Sequence, residues 1–190
     1  MISSRPPAAL ARILERTSEL GFQMGSEERT GALLRVLAGS KPGGCFLELG
    51  TGTGIATAWI LDGMDEASTL ISVDIDAKFQ EVARHAFAGD ARLQLVTEDA
   101  LGFLHRQAST TFDLAFADAM PGKYDGLDEA LRVVKLGGFY VIDDMLPQAN
   151  WPEGHAPKVA ALLAHLAARR DIEIVSMEWA SGVVVAVRKQ

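Results

Sequence analysis

The chain has 190 residues, 48% of them hydrophobic, which suits one domain with a real core. Its formal net charge of -7 works against sequence-blind binding of DNA or RNA, which draws on basic surface. No apolar run approaches the ~20 residues that a membrane-spanning helix needs, and the opening segment carries charges throughout with no apolar signal core, so a cytoplasmic protein is the expectation.

Residues 8–20 set Leu10, Ile13, Leu14 and Leu20 at helical spacing after Pro6 and Pro7. Residues 26–39 predict a second helix, with Ser26 as N-cap, Leu33, Leu34 and Leu37 as the apolar stripe and Gly39 as the stop. Lys41-Pro42-Gly43-Gly44 then breaks the pattern, and strands and helices alternate. Strands are expected over 45–49, 69–74, 92–97, 112–118 and 137–144, and helices over 57–63, 77–88, 100–107, 126–135 and 157–169. Two more strands, 172–178 and 182–189, close the chain. Cys45, the only cysteine, sits in the first strand and reads as a small core residue.

Such alternation implies a parallel sheet covered by helices on both faces. The final two strands are joined only by Trp179-Ala180-Ser181, too short for a parallel crossover, so they pair antiparallel or not at all. The expectation is an α/β fold: a Rossmann-like three-layer sandwich with a seven-stranded, mostly parallel sheet and an antiparallel C-terminal hairpin. It forms one domain over 1–190, with a helical cap over 1–40 and an α/β core over 44–190.

The most informative segment is Phe46-Leu47-Glu48-Leu49-Gly50-Thr51-Gly52-Thr53-Gly54. Glycines at alternate positions let backbone approach a ligand closely at the carboxyl end of the first strand. The spacing is G-x-G-x-G, whereas a dinucleotide fingerprint needs a third glycine where Ile55 stands. A pyrophosphate wants a helix N-terminus close behind the turn. S-adenosylmethionine has no phosphate; it needs room for a zwitterionic tail and an acid near its positive charges, and Glu48 lies beside the loop. Asp74, 24 residues after Gly50 and next to Ile75, can accept from both ribose hydroxyls of an adenosine. Asp76 reads as the N-cap of the next helix. Asp99, before Ala100, can accept from an adenine amino group, cap helix 100–107, or do both.

These segments, with those after the fourth and fifth strands, resemble the catechol and caffeoyl-coenzyme A O-methyltransferase family of class I S-adenosylmethionine-dependent methyltransferases, from about Phe22 to the C-terminus. The resemblance implies S-adenosyl-L-methionine as cofactor, a small phenolic or catechol-like methyl acceptor, and a homodimer. Phe22 and Met24 would lie over the methionine part, with Glu48, Gly50, Thr51, Gly52 and Gly54 forming the cofactor loop. Asp74 and Ile75 would flank the ribose, and Asp99, Ala100 and Asp118 would complete the cofactor site. In metal-dependent members, acids matching Asp118 and Asp144 hold a divalent cation such as Mg²⁺ together with an Asn that follows the second acid, and the cation acidifies the attacking hydroxyl. Here Met145 stands at the Asn position, and a thioether is a poor ligand for a hard cation. A slip of one residue would pair Asp143 with Asp144 and still change the third ligand. Pro121 stands where the family has its general-base Lys; Lys123, two positions on, either substitutes or points into water.

Asp118 is a candidate base, or a cofactor contact without proton transfer. His155 is a second candidate, in an aromatic, proline-punctuated loop with Trp151, or else an exposed residue at a helix start. His85, His105 and His165 read as surface or packing residues. Rival readings are a nicotinamide oxidoreductase, a cofactor-binding protein with lost catalysis, and a methyltransferase acting on a nitrogen or a protein.

Overall fold

A computed structural model describes residues 5–149 and 151–189. The first four residues, at the head of the segment expected to carry no secretory signal, lie outside these. The chain begins with α1 (Leu10–Glu19) and α2 (Glu28–Gly39), then β1 (Cys45–Leu49), α3 (Ile55–Gly63), β2 (Thr69–Asp74) and α4 (Ala77–Ala86). It continues through β3 (Leu93–Thr97), α5 (Ala100–Arg106), β4 (Phe112–Ala117), a single turn α6 (Met120–Lys123) and α7 (Leu127–Val133). Next come β5 (Val134–Ile142), α8 (His155–Ala168), β6 (Ile172–Met177) and β7 (Val183–Arg188). Among the described residues no helix is long and apolar enough to cross a membrane.

The seven strands form one sheet in the order β3-β2-β1-β4-β5-β7-β6. β1 to β5 run parallel, and β7 inserts antiparallel between β5 and β6. The strand runs are apolar almost without interruption because both faces are covered. The period-2 alternation of strand side chains divides them between two cores. Leu47, Leu49, Ala115, Ala117, Tyr140 and Ile142 face α5, α7 and α8. Phe46, Leu114, Phe116 and Val141 face α2 and α3. The N-terminal segment expected as a cap is part of this second layer. Leu34 and Ala38 of α2 enter the sheet core, and Leu10 and Ile13 of α1 pack with Trp59 of α3 and Val82 of α4.

Three local expectations are corrected. Helix α3 starts at Ile55 rather than residue 57, because Gly54 takes a left-handed conformation (φ 91°) that turns the chain directly into the helix. The helix expected over 126–135 stops at Val133, and β5 begins at Val134, whose backbone pairs with Phe112 across an irregularity in the β4–β5 ladder. Ser26 does not cap α2. Glu27 holds the N-cap position in extended backbone without a side-chain hydrogen bond, and the Ser26 hydroxyl is directed elsewhere.

The α2–α3 contact depends on a glycine. A Cβ built on Gly31 would come 2.2 Å from Cδ1 of Trp59, a fully buried ring. Gly31→Ala gains helix propensity of about 1 kcal/mol but drives a methyl into that ring, so a net loss of about 1–3 kcal/mol is expected. Urea unfolding checks this: an unchanged or higher midpoint would show that the helices do not approach so closely.

Candidate active site

The order of the strands creates the site. The chain leaves β1 for β2 and β3 on one side and returns through β4 on the other, which opens a crevice beyond the carboxyl ends of β1 and β4. The two sides almost touch there. The Asp118 amide donates to Leu49 O at 2.9 Å, and a Cβ on Gly50 would come 3.0 Å from the Asp118 carbonyl. Gly50 has φ 102° and Gly52 φ 50°, so the loop needs glycine both for its backbone and for room.

On the β1–β2 side, Asp74 closes the loop. Its Oδ2 accepts from Gly52 N at 2.7 Å and its Oδ1 from Asp76 N at 2.8 Å. An ionised carboxylate has about four acceptor positions, so both oxygens can accept again. Phe22 lies over Gly52, whose Cβ would come 2.9 Å from the ring, and packs on Phe79 with centroids 4.6 Å apart. Met24 is 70% exposed, and Ile75, directly after Asp74, is 75% exposed. Thr51 turns the other way. It is buried, shares a 2.6 Å hydrogen bond with Ser72 and accepts from Gln80 Nε2, so only its backbone is left for a ligand. Asp76 caps α4 as expected, accepting from Lys78 N and Phe79 N. Asp99 caps α5 by accepting from Gly102 N at 2.7 Å, and Ala100 is buried beneath it.

Glu48 is wholly buried. Its Oε2 accepts from Thr57 and Ser72, while its Oε1 makes no hydrogen bond. Burial pushes its carboxyl from the ordinary 4.5 to about 8, against the pull of those two hydroxyls. An orphaned buried acid oxygen next to a glycine cradle fits a group that brings positive charge and hydrogen-bond donors.

On the β4–β5 side stands a second acid cluster. Asp118 has a side chain only 10% exposed. Its Oδ2 accepts from Ser26 at 2.7 Å, and its Oδ1 lies 3.6 Å from Nζ of Lys123. Burial pushes Asp118 up to about 7; the Lys123 ammonium opposes this, and Asp143 and Asp144 add to it. Lys123 does not point into water: its side chain is 5% exposed. Asp143 is 1% exposed, and its Oδ1 accepts from Ser181 at 2.6 Å, from the Asp144 amide at 3.0 Å and from Thr30 at 3.4 Å. Burial raises its pKa, partly offset by the Ser181 hydroxyl. Asp144 carries the left-handed φ of 62° that follows from this clamp on its amide.

The donors for a hard cation are not assembled. Met145 is 4% exposed, packs in the main core and donates its amide to Gly182 O, so its position faces away from the acids. Among the described residues no three of His, Cys, Asp and Glu converge in a way that could hold a metal. Asp118 and Asp144 are close enough to interact, and Oδ1 of Asp143 is already engaged by two hydroxyls and a backbone amide.

His155 is half-buried at the start of α8. Its Nε2 lies 3.1 Å from the Tyr124 hydroxyl, and its ring packs on Tyr124 and Trp151. Next to this aromatic group is a cavity of about 570 Å³ between α6, α7 and α8, lined by Met120, Lys123, Tyr124, Leu127, Leu162 and His165 among others. His85 is exposed beside Glu81, and His105 is exposed near the end of α5. Cys45 is half-buried against the main core. Sequence reasoning missed Thr57, Ser72, Gln80, Thr30, Ser181 and Tyr124. Only Ser72, a hydroxyl inside a buried strand beside the Glu48 strand, offered a signal.

This strand order with one antiparallel strand near the far edge is the arrangement of a Rossmann-like methyltransferase domain. The chain belongs to that family: the family described as "Methyltransferase domain" matches residues 47–145. A Mycobacterium tuberculosis relative named as an O-methyltransferase is 35% identical over 138 residues, covering 70% of this chain and 61% of that protein. One from Mycobacterium avium is 34% identical over 140 residues, covering 71% and 63%. The chain thus spans about three fifths of the length of the curated relatives it matches. Two solved structures share the fold. The O-methyltransferase of tomaymycin synthesis from Streptomyces achromogenes, in complex with S-adenosylmethionine, has a TM-score of 0.83 at 21% identity over 98% of this chain and 92% of that one. A Bacillus cereus O-methyltransferase in complex with S-adenosylhomocysteine has 0.84 at 18% identity over 97% and 92%.

The burial of Glu48 has a measurable consequence. A folded-state pKa above the unfolded value means that the folded protein holds the proton more tightly. The stability this brings is complete below about 4.5 and is lost as pH rises through about 8. Thermal melts of the unliganded protein from pH 5 to pH 8.5 should therefore fall with pH, and Glu48→Gln should flatten the slope. An equal slope in the variant would mean that Glu48 is not burdened by burial.

Proposed function

We propose that this chain binds S-adenosyl-L-methionine across the glycine loop and methylates a hydroxyl of a small, phenolic or catechol-like acceptor. The observation that carries the reading is the abutment of Gly50 and Asp118: the glycine loop meets the backbone of a residue whose carboxylate is largely buried, at the carboxyl ends of β1 and β4. The orphaned Glu48 oxygen and the glycine cradle support a cationic ligand without phosphate. A cavity of about 570 Å³ between α6, α7 and α8, of a size that takes a small molecule, includes Lys123, the ion-pair partner of Asp118, in its lining. Names of relatives and the ligands of fold neighbours agree with this reading.

Bound S-adenosylmethionine supplies an activated methyl group on a sulfonium. Asp118 would take the proton that the acceptor hydroxyl loses as its oxygen accepts that methyl group. Asp74, which holds Gly52 in place, would accept from the ribose hydroxyls, and Phe22 would cover the loop. Asp118 acts as general base, held at its outer oxygen by Ser26.

Two variants test the reading. Asp74→Ala should weaken S-adenosylhomocysteine binding by about 10- to 100-fold in calorimetry, the worth of hydrogen bonds to a charged group; wild-type affinity in the variant would refute the ribose assignment. Asp118→Asn should lower transfer of labelled methyl to catechols by about 10²- to 10⁴-fold while S-adenosylhomocysteine still binds. Undiminished transfer would remove Asp118 from the role of base.

A further inference from the structure

We infer that the Lys123 ammonium takes the place a divalent cation holds in metal-dependent O-methyltransferases and grips the acceptor's attacking oxygen beside Asp118. The inference rests on the methyl-transfer reading above and adds the group that binds the acceptor.

The backbone is shaped to bring this lysine inward. After β4 the chain does not coil into a regular helix: Pro121 is extended (ψ 139°) and Gly122 is left-handed (φ 89°). The detour is secured by Gly122 N donating to Asp125 O at 2.7 Å and by the buried Tyr140 hydroxyl donating to Gly122 O. A Cβ on Gly122 would come 2.7 Å from Leu49 Cδ1, so a glycine is required by both space and φ. The result is a lysine with a side chain 5% exposed, its Nζ 3.6 Å from Asp118 Oδ1. Burying an ammonium is costly unless it is paired, and Asp118 from the end of β4, with Asp143 and Asp144 from the end of β5, supplies the opposite charge. The 3.6 Å contact is an ion pair longer than a hydrogen bond. An ammonium has three donors, and Lys123 also lines the cavity of about 570 Å³.

Two positions that could complete a cation site are engaged elsewhere. Met145 packs in the core, and Asp143 accepts from Ser181, Thr30 and a backbone amide. One positive charge therefore remains where acceptor and base must meet. As the acceptor hydroxyl gives its proton to Asp118, negative charge gathers on its oxygen, and a fixed ammonium at that point stabilises it.

The test uses the full chain saturated with S-adenosylhomocysteine and 4-nitrocatechol as probe, whose visible absorbance reports ionisation of its hydroxyl. In the wild type the bound probe should ionise about 1–3 pH units below the free probe, the effect of one opposite charge at close range, and EDTA should leave this unchanged. Lys123→Met should abolish the shift, and Lys123→Arg should retain part of it, with S-adenosylhomocysteine affinity unchanged in both. A shift that EDTA removes, a shift that persists in Lys123→Met, or no shift in the wild type would overturn the inference. Should Lys123→Met fail to bind S-adenosylhomocysteine, Lys123→Gln is read in its place by the same criteria. Failure of the wild type to bind S-adenosylhomocysteine is a different result: it would sink the methyl-transfer reading itself.

Discussion

Charge taken out of water must find donors, and the acids at the carboxyl end of the sheet find most of theirs on other elements. Glu48 of β1 accepts from Thr57 of α3 and Ser72 of β2. Asp74 of β2 accepts from the loop amide of Gly52. Asp118 after β4 accepts from Ser26, before α2. Asp143 after β5 accepts from Thr30 of α2 and Ser181 between β6 and β7. The acids thereby fasten the helices and the C-terminal hairpin to the rim of the crevice. Asp118 and Asp74 add to the rise of the Glu48 pKa, and Asp143 and Asp144 to that of Asp118. A site strained in this way favours ligands that bring positive charge and donors, which is what a sulfonium cofactor brings.

Close approach of backbone is the second constraint. The crevice is narrow at its root because Gly50 leaves space for the Asp118 carbonyl, and Gly54 leaves space for Ala83 of α4, where a Cβ would come 2.7 Å from the alanine methyl. Side chains at these points would push β1 away from β4, or α3 away from α4, and separate the glycine loop from Asp118. Trp59, fully buried between α1, α2 and α3, holds the N-terminal helices against the same layer. Ser26 and Phe22 reach the crevice only because those helices are docked.

The resemblance to metal-dependent O-methyltransferases carries over unevenly for a physical reason. The cofactor loop is local, and a contiguous segment with three glycines and a following acid reproduces it wherever it occurs after a buried strand. A metal site needs three ligands from two loops aimed at one point. At Met145 the chain enters a pairing with Gly182 and its side chain packs in the core. Similarly, Pro121 looks like the loss of a base when read by position. The extended Pro121 and left-handed Gly122 then return Lys123 to the acid from two residues further on.

Sequence by itself determined the order and type of the principal strands and helices, the parallel sheet with its antiparallel closing strand, the glycine loop and the caps at Asp76 and Asp99. These rest on periodicity, chain length between strands and local turn chemistry, which act over a few residues and survive any tertiary arrangement. Tertiary structure decided which way Ser26, Thr51, Lys123 and Met145 point, and that Tyr124, His155 and Trp151 form one group. It also decided how far Glu48, Asp118 and Asp143 are removed from water. Each of those depends on contacts between elements far apart in the chain: Ser26 with Asp118, Thr30 with Asp143, Met145 with Gly182. Only packing sets such contacts, because direction and desolvation are properties of the surroundings and no local pattern encodes them.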